Sequence, residues 1–513
     1  MTKQVIKFGP WTGGMDATVE EPTLNLKTLA DSSNIEIDPD GTIKLRRPYR
    51  AVDSGAEFRL LGISPLPSDT FEGIIGTGVI YRKNSDIYLI YPTAGVWGTI
   101  SNTKLTTTPL HDKINYVTVY DGKYWALSTD PAQPSYVSSG IGAGLKTWTA
   151  ITTGPLASSA LYCDTYAVYL DRLFIAVREI ENGIARCRVY YSVAGNFADW
   201  SIANGGGFFD VGSGSGGRIN FFHVMYNMLY IFTKFETYSY TYNTDPNVDG
   251  ALQPVSKQGA NLGVYIDDKL YVSSDSGLYR FINNSFVLYP LKAEIKYYGI
   301  TCLKGFDNYL FISSTIPEDQ VYVIDTTTGA LMKWDFSSAA VFDTKGTTEL
   351  FTTGLDGVVF TYNYFTTADT LSYIPSRHAF VPQNEFYDIG ADLTTYLPYS
   401  AFIKTGLIDQ GLEGFYKRIY YCTATVDSYG FYDGGISIND TNNLRTSYLG
   451  MRVTDSVKMS YPVDRTRYIQ TVISYVPTQA DSITAAQRVP VKFWLRDFQL
   501  VAEAKDIQQG ERV

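Results

Sequence analysis

The residues that could do chemistry are few and scattered. His111, His223 and His378 stand alone, with no H-E-x-x-H and no G-x-S-x-G around them. Neither a zinc-hydrolase helix nor a nucleophile elbow is therefore written into the chain. His223 lies in FFHVM, an alternating strand, where the expected role is a satisfied structural histidine. Cys163, Cys187, Cys302 and Cys422 are far apart and form no C-x-x-C. That spacing suits neither a disulfide scaffold nor a structural zinc site, and free buried thiols are expected, fitting assembly in a reducing cytosol. VGSGSGGR at 211–218 lacks the Gly-Lys-Ser/Thr with which a P-loop cradles phosphates. DPDG at 38–41 lacks the other oxygen ligands and the distal glutamate of a calcium loop. SSDSGLYR at 273–280 matches the Asp-box pattern S-x-D-x-G-x-T-W only through Ser273, Asp275 and Gly277. It occurs once and reads as an ordinary Asx-type hairpin turn. No catalytic residue, metal or cofactor is expected.

One group of side chains remains unexplained, the cations of EIDPDGTIKLRRPYR at 36–50. Asp40-Gly41 between alternating runs predicts a tight hairpin, and it carries Lys44, Arg46, Arg47 and Arg50 in a chain of net charge −10. Two readings stay open: a solvated edge strand guarded by cations, or a contact surface for another molecule. The overall charge argues against a phosphate-gripping protein, which needs clustered cations. The N-terminal MTKQVIKFGPWTGG has no apolar h-region and no 18-residue apolar run occurs, so neither classical export nor a membrane span is expected.

The elements that must position these residues come from a repeat. The chain has 513 residues, 41 Tyr, 44 Gly and 27 Phe, a composition of many short strands and tight turns. SDIYLIY, DGKYWALS, DRLFIAV, YNMLYIFT, DDKLYVSS, DNYLFISS and GTTELFTT each put an aromatic early in a strand, most of them after a polar turn. The aromatics Tyr88, Trp125, Phe174, Tyr230, Tyr271, Phe311 and Phe351 lie 37, 49, 56, 41, 40 and 40 residues apart. Four antiparallel strands per forty-odd residues is one blade of a β-propeller, because a lone four-stranded sheet cannot bury both faces and must stack on its neighbours. The expected fold is all-β: a propeller of six to eight blades, seven repeats counted, over residues 58–365. Residues 1–57 read as an N-terminal arm ending in the hairpin, and residues 366–513 break the period and read as a C-terminal β-sandwich-like domain. The glycine-rich segment 203–217, ANGGGFFDVGSGSGG, is expected to be a loop between blades that presents Phe208 and Phe209 to a partner.

Four stretches in order resemble the nozzle proteins, also called tail tubular or DNA-stabilisation proteins, of short-tailed bacteriophages. They are Gly13-Gly14 followed by LADSSNIEIDPDGTIKLRRPY, with an Asn shortly before a hairpin ending in Arg-Pro; FFDVGSGSGGRINFFHVMYNMLYIFTKFETYSY; VSKQGANLGVYIDDKLYVSSDSGLYRF; and FIKTGLIDQGLEGFYKRIYYC. Where the family often continues Arg-Pro with glycine, this chain has Tyr49. The resemblance implies a non-enzymatic virion protein with a propeller core, assembled in the host cytoplasm as a ring of six below the portal and adaptor. It would touch tail fibres or spikes and let double-stranded DNA pass without specific binding, through a channel whose acidic lining discourages sticking only within a Debye length of about 8 Å. In that setting Arg46, Arg47, Arg50, Phe208 and Phe209 are the interface candidates. The rival readings are a glycan-binding or receptor-binding propeller, suggested by the tyrosines, and a sialidase-like glycosidase, weakened by the missing Asp-box repeats.

Overall fold

The computed structural model describes the chain from Gln4 to Lys505 apart from connecting segments, the longest of which are 17–26, 66–76, 363–370 and 406–415. Seven four-stranded antiparallel meanders follow one another. Blade 1 is Phe58–Pro65, Thr77–Lys83, Asp86–Thr93 and Val96–Lys104. Blade 2 is Ile114–Tyr120, Lys123–Ser128, Tyr136–Ser138 and Trp148–Ala150. Blade 3 is Tyr162–Tyr169, Arg172–Glu181, Ile184–Tyr191 and Gly207–Val211. Blade 4 is Ile219–Met225, Met228–Thr233, Thr237–Thr241 and Ala251–Ser256. Blade 5 is Leu262–Ile266, Lys269–Ser274, Gly277–Ile282 and Ser285–Tyr289. Blade 6 is Ile300–Phe306, Tyr309–Ser314, Gln320–Asp325 and Leu331–Trp334. Blade 7 takes Ala340–Asp343, Leu350–Thr353 and Val359–Tyr362 from its own stretch. Its fourth strand is Tyr49–Asp53, from before blade 1, with Tyr49 opposite Tyr362 and Arg50 opposite Thr361, and the same sheet continues beyond it through Tyr387–Ile389, Thr395–Pro398 and Ile483–Thr484.

First strands of neighbouring blades touch, those of blades 2 and 3 through the Tyr116 and Tyr166 hydroxyls, which donate to the Asp164 and Val117 carbonyls, and the second strand of blade 7 touches the first strand of blade 1. The first strands are therefore innermost and the ring of blades is closed. Backbone hydrogen bonds between Tyr49–Asp53 and Val359–Tyr362 fasten it. The molecule is a seven-bladed β-propeller. Aromatic and aliphatic side chains fill the wedges between blades, as stacking requires. Between blades 3 and 4 lie Phe174, Tyr191, Tyr238, Tyr240 and Tyr242; between blades 5 and 6 lie Tyr271, Leu310, Ile312 and Tyr322.

Six of the seven repeat aromatics sit in second strands. Trp125, Phe174, Tyr230, Tyr271 and Phe311 share one register, two residues past the closing pair of the first hairpin. Phe351 is one residue past it. Tyr88 is the exception: it lies in the third strand of blade 1, stacked on Tyr81 at 5.2 Å. In blade 1 the two-residue turn, Asn84-Ser85, closes the second hairpin and not the first, so the aromatic that follows it falls one strand later than in the other blades.

The N-terminal segment is not a separate arm. Ile35–Ile37, Ile43–Leu45 and Gln4–Phe8 join the C-terminal strands Lys492–Lys505, Tyr416–Tyr429 and Ser456–Thr466 in one sheet. Leu29–Ser33 joins Ala401–Thr405, Gln470–Pro477, Tyr432–Asp440 and Asn443–Tyr448 in a second. The β-sandwich-like domain is thus woven from both ends of the chain. The physical reason is burial: Ile35, Ile37, Ile43 and Leu45 are almost wholly covered, and a free arm could not have covered them.

Candidate interaction surfaces

The hairpin at 36–50 forms as its Asp-Gly signal requires, Ile37 pairing with Ile43. Asp38 and Thr42 close its loop, Gly41 takes φ +82°, and the Thr42 N–H donates to Asp40 at 2.8 Å. That hydrogen bond, first among several influences, holds the Asp40 carboxyl below the usual carboxylate range. Lys44 pairs with Asp38 across the loop. Arg46, however, points inward. It is 1% exposed, its Nε donates to Asn34 Oδ1 at 2.9 Å, and its N–H donates to the Asn34 carbonyl. Asn34 has φ +55° and donates its own N–H to the Lys333 carbonyl on the outer strand of blade 6. Arg46 is therefore corrected from an intermolecular contact to an internal one. Arg47 lies outside the described residues. Arg50 is in the fourth strand of blade 7, paired in register with Thr361 on one side and Ile389 on the other.

Around Asn34 and Arg46 a joint links the sandwich to blade 6. Trp334 Nε1 donates to the Ile35 carbonyl at 2.8 Å, and Lys333 Nζ meets Asp31 at 2.7 Å. Met15 N–H donates to the Leu331 carbonyl and the Met15 side chain enters the core of blades 5 and 6. Gly14, at φ +64°, lies so close that a Cβ would stand 2.4 Å from Leu331 N. Only glycine allows this approach in that conformation.

The segment 203–217 is not one loop. Gly207–Val211 is the outer strand of blade 3, with Phe208 opposite Tyr190 and Phe209 opposite Val189; residues 213–217 lie outside the described residues. The alternation of a strand sends the two phenylalanines to opposite faces. Phe209 stacks on Tyr240 of blade 4 at 4.2 Å and belongs to the wedge between blades. Phe208 is 45% exposed, with the Arg188 guanidinium 4.2 Å above its ring. Phe208 is a surface side chain and Phe209 is not.

Arg188 is held in turn by Glu179 and Asp210, each at 2.7 Å. The Arg188 hydrogen bond keeps the Asp210 carboxyl below its ordinary range. Nearby, Asp164 sits buried at a bulge of the first strand of blade 3, gripped by Arg178 at 3.0 Å and Arg218 at 3.1 Å. Burial pushes its carboxyl above the usual range despite the opposing pull of Arg218 and Arg178. Arg178 and Arg188 are thus engaged by carboxylates of their own blade, and Arg218, just before blade 4, by Asp164 of blade 3.

The chemistry-bearing residues weighed in the sequence have the following neighbours where they are described. His111 Nε2 reaches the Pro134 carbonyl and Nδ1 accepts from Lys113 N–H, which sets its tautomer. His223 rests 5.4 Å from the Tyr265 ring. Asp275 accepts from Asn261 and pairs with Lys234, as a turn carboxylate does. Cys163, Cys187 and Cys302 are buried and form no disulfide. His378 lies outside the described residues. Among the described residues no group of three or more His, Cys, Asp or Glu is placed to hold a metal.

Sequence reasoning missed the face carrying the first-hairpin turns. In blades 2 to 5 these turns are Asp121-Gly122, Leu170-Asp171, Tyr226-Asn227 and Asp267-Asp268, all at positive φ. Such turns match strand twist but favour Gly, Asn and Asp. Leu170 (φ 45°) and Tyr226 (φ 52°) are costly exceptions, and both are exposed, Tyr226 at 71%. Val168, Val224 and Tyr265, each two residues before such a turn, are exposed beside them. Aligning the hairpins of the repeat would have shown Leu and Tyr standing where the other blades put Asp.

No family model matches the chain, and no curated protein matches it. Solved structures resemble it loosely. The computationally designed Ika8 protein is 11% identical over 62% of this chain and 99% of its own, with a TM-score of 0.38. BamB from Moraxella catarrhalis is 12% identical over 71% and 97%, at 0.35. YCF48 bound to D1 peptide is 10% identical over 63% and 97%, at 0.39. Likenesses at these scores carry no functional argument, and the fold stands on the strand pairing above.

Proposed function

We propose that this propeller protein is a structural, non-enzymatic subunit of a short-tailed phage tail, six copies forming a nozzle ring under the portal and adaptor. Genomic DNA would pass through the ring without being held, and tail fibres or spikes would attach around it. The observation that supports this most directly concerns Gly14, Asn34 and Arg46. These members of the resembling N-terminal pattern are the residues that fix the sandwich to blade 6. A pattern of that kind is what a two-part subunit needs if load on one part is to reach the other. The net charge of −10 fits a conduit that avoids a phosphate grip.

Native mass measurement of the full chain, alone and with portal and adaptor proteins, tests the reading. A six-copy species in either mixture is the expected result; a monomer in both overturns it. A glycan-binding propeller is the second reading, favoured by exposed Tyr226 beside Tyr265, since aromatic faces suit sugar rings. Retention on host polysaccharide, lost on Tyr226→Ala, would favour that reading instead.

A further inference from the structure

On the side of the first-hairpin turns, blades 3 and 4 each close two hairpins. The connections are Leu170-Asp171 and 192–206 in blade 3, and Tyr226-Asn227 and 242–250 in blade 4. Each of the four exposes one large apolar side chain: Leu170 at 40%, Ile202 at 64%, Tyr226 at 71% and Val248 at 84%. Blade 5 fills the same two places with Asp267-Asp268 and Asn283-Asn284, all at positive φ, as solvent-facing turns ordinarily do.

The four connections are fastened to one another. The Tyr242 hydroxyl donates to the Leu170 carbonyl at 3.0 Å, the Tyr169 hydroxyl to the Asn227 carbonyl at 2.9 Å, and Asn247 Nδ2 to the Gly206 carbonyl at 3.1 Å. The apolar side chains therefore sit on adjoining pieces of one preformed surface. Leu170 and Tyr226 also hold positive φ there, and retained backbone strain together with exposed apolar area is a mark of binding surfaces. The charge around them has one sign. On this face the connections of blades 3 to 5 carry Asp171, Asp199, Asp245, Asp249, Asp267 and Asp268. Against them stand Lys269, paired with Asp267 at 2.8 Å, and buried Arg172.

We propose that this face of blades 3 and 4 docks a segment of another protein that presents apolar side chains flanked by lysine or arginine. The apolar anchors cover the four exposed side chains, and the partner's cations meet the aspartates around them. The same aspartates disfavour nucleic acid and an anionic membrane. Three of the four exposed side chains are aliphatic, which suits protein side chains better than sugar rings. A second copy of this chain fits less well, because three of its surface arginines, Arg178, Arg186 and Arg218, are already bound by its own carboxylates. The docking surface stands or falls independently of the ring reading.

Two synthetic peptides of equal length and apolar pattern, one with lysine and one with glutamate at its polar positions, test this against the full-length protein by fluorescence anisotropy. The lysine peptide should bind saturably and the glutamate peptide should not. The double substitution Ile202→Ser with Val248→Ser should weaken lysine-peptide binding by about tenfold and leave the melting temperature unchanged, because both side chains lie mostly in water. Tyr226→Asn should weaken binding while raising stability, a split that a purely structural tyrosine would not give. Phe235→Ser, in a turn at the opposite end of blade 4, should leave binding unaltered. No binding of the lysine peptide, equal binding of both peptides, or equal binding by the variants overturns the proposal. Self-association of the protein that the Ile202→Ser, Val248→Ser pair abolishes would assign the face to a second copy instead. Release of the peptide by neutral host polysaccharide would assign it to a glycan, and either result overturns the proposal.

Discussion

Phe208 and Phe209 adjoin in sequence and part company in structure, because a strand sends successive side chains to opposite faces. Phe209 stacks on Tyr240 between blades, whereas Phe208 lies in water under Arg188. Phe209→Ser should therefore lower stability by about 2–3 kcal/mol, below the roughly 3–5 kcal/mol for a fully buried aromatic because Phe209 is half-buried. Phe208→Ser should cost less than about 1 kcal/mol, the worth of an exposed cation–π contact. Chemical denaturation of the two variants checks the split, and equal losses would mean that Phe208 is packed as well. Tyr226 makes the opposite case. A bulky side chain at φ 52° carries a backbone penalty of about 1 kcal/mol or more, and the exposed ring recovers little of it within the chain. Tyr226→Asn should raise stability by about 0.5–1 kcal/mol. A loss of stability on denaturation would show that the ring makes a contact worth more than the strain.

At the level of elements, the hairpin at 36–50 answers why an acidic chain carries so many cations near its start. Lys44 closes the hairpin loop on Asp38, and Arg46 turns inward to Asn34. Asn34 in turn bonds the outer strand of blade 6 through Lys333. Neither the edge-guard reading nor the interface reading describes Arg46. Arg46→Ala removes a charge-assisted hydrogen bond and strands the Asn34 amide oxygen in a buried site. A loss of about 2–4 kcal/mol follows from the usual worth of such bonds plus an unmet acceptor. The measurement that separates a joint from an isolated contact is hydrogen exchange. Protection should fall in Leu331–Trp334 as well as in the hairpin, and a change confined to the hairpin would count against the joint.

At the level of the whole molecule, the wedges between blades are lined with phenols. Burial pushes Tyr242 up to about 12; burial, then hydrogen bonding to a carboxylate, does the same to Tyr120 and Tyr238. A group whose folded-state value is raised adds stability that is fully present below its unfolded value, near 10, and is lost as pH rises through the folded value. The propeller should thus hold its stability up to about pH 10 and lose it between about pH 10 and 12. Tyrosinate absorbance and circular dichroism followed together should change in one step. Full ionisation near pH 10 with the fold intact would contradict the packing described. The same wedges explain why the ring closes through a strand from outside the repeat: each blade is covered by its neighbours, so the last must meet the first.

The sequence by itself determined the local part of this. Turn residues, two-residue alternation and the recurrence of Trp125, Phe174, Tyr230, Tyr271 and Phe311 every 40 to 56 residues specify hairpins and blades, since each depends on residues close along the chain. Pairing between distant segments was decided only by the tertiary structure. Nothing within residues 1–57 says that Gln4–Phe8 lies on Lys492–Lys505 or that Tyr49–Asp53 completes blade 7, because strand edges of similar composition are interchangeable until burial chooses among them. The same holds for the side chains that matter most here. Arg46, exposed by every local criterion, is buried by a sheet that arrives from more than four hundred residues away, and Leu170, Ile202, Tyr226 and Val248 share one surface only because blades 3 and 4 stack.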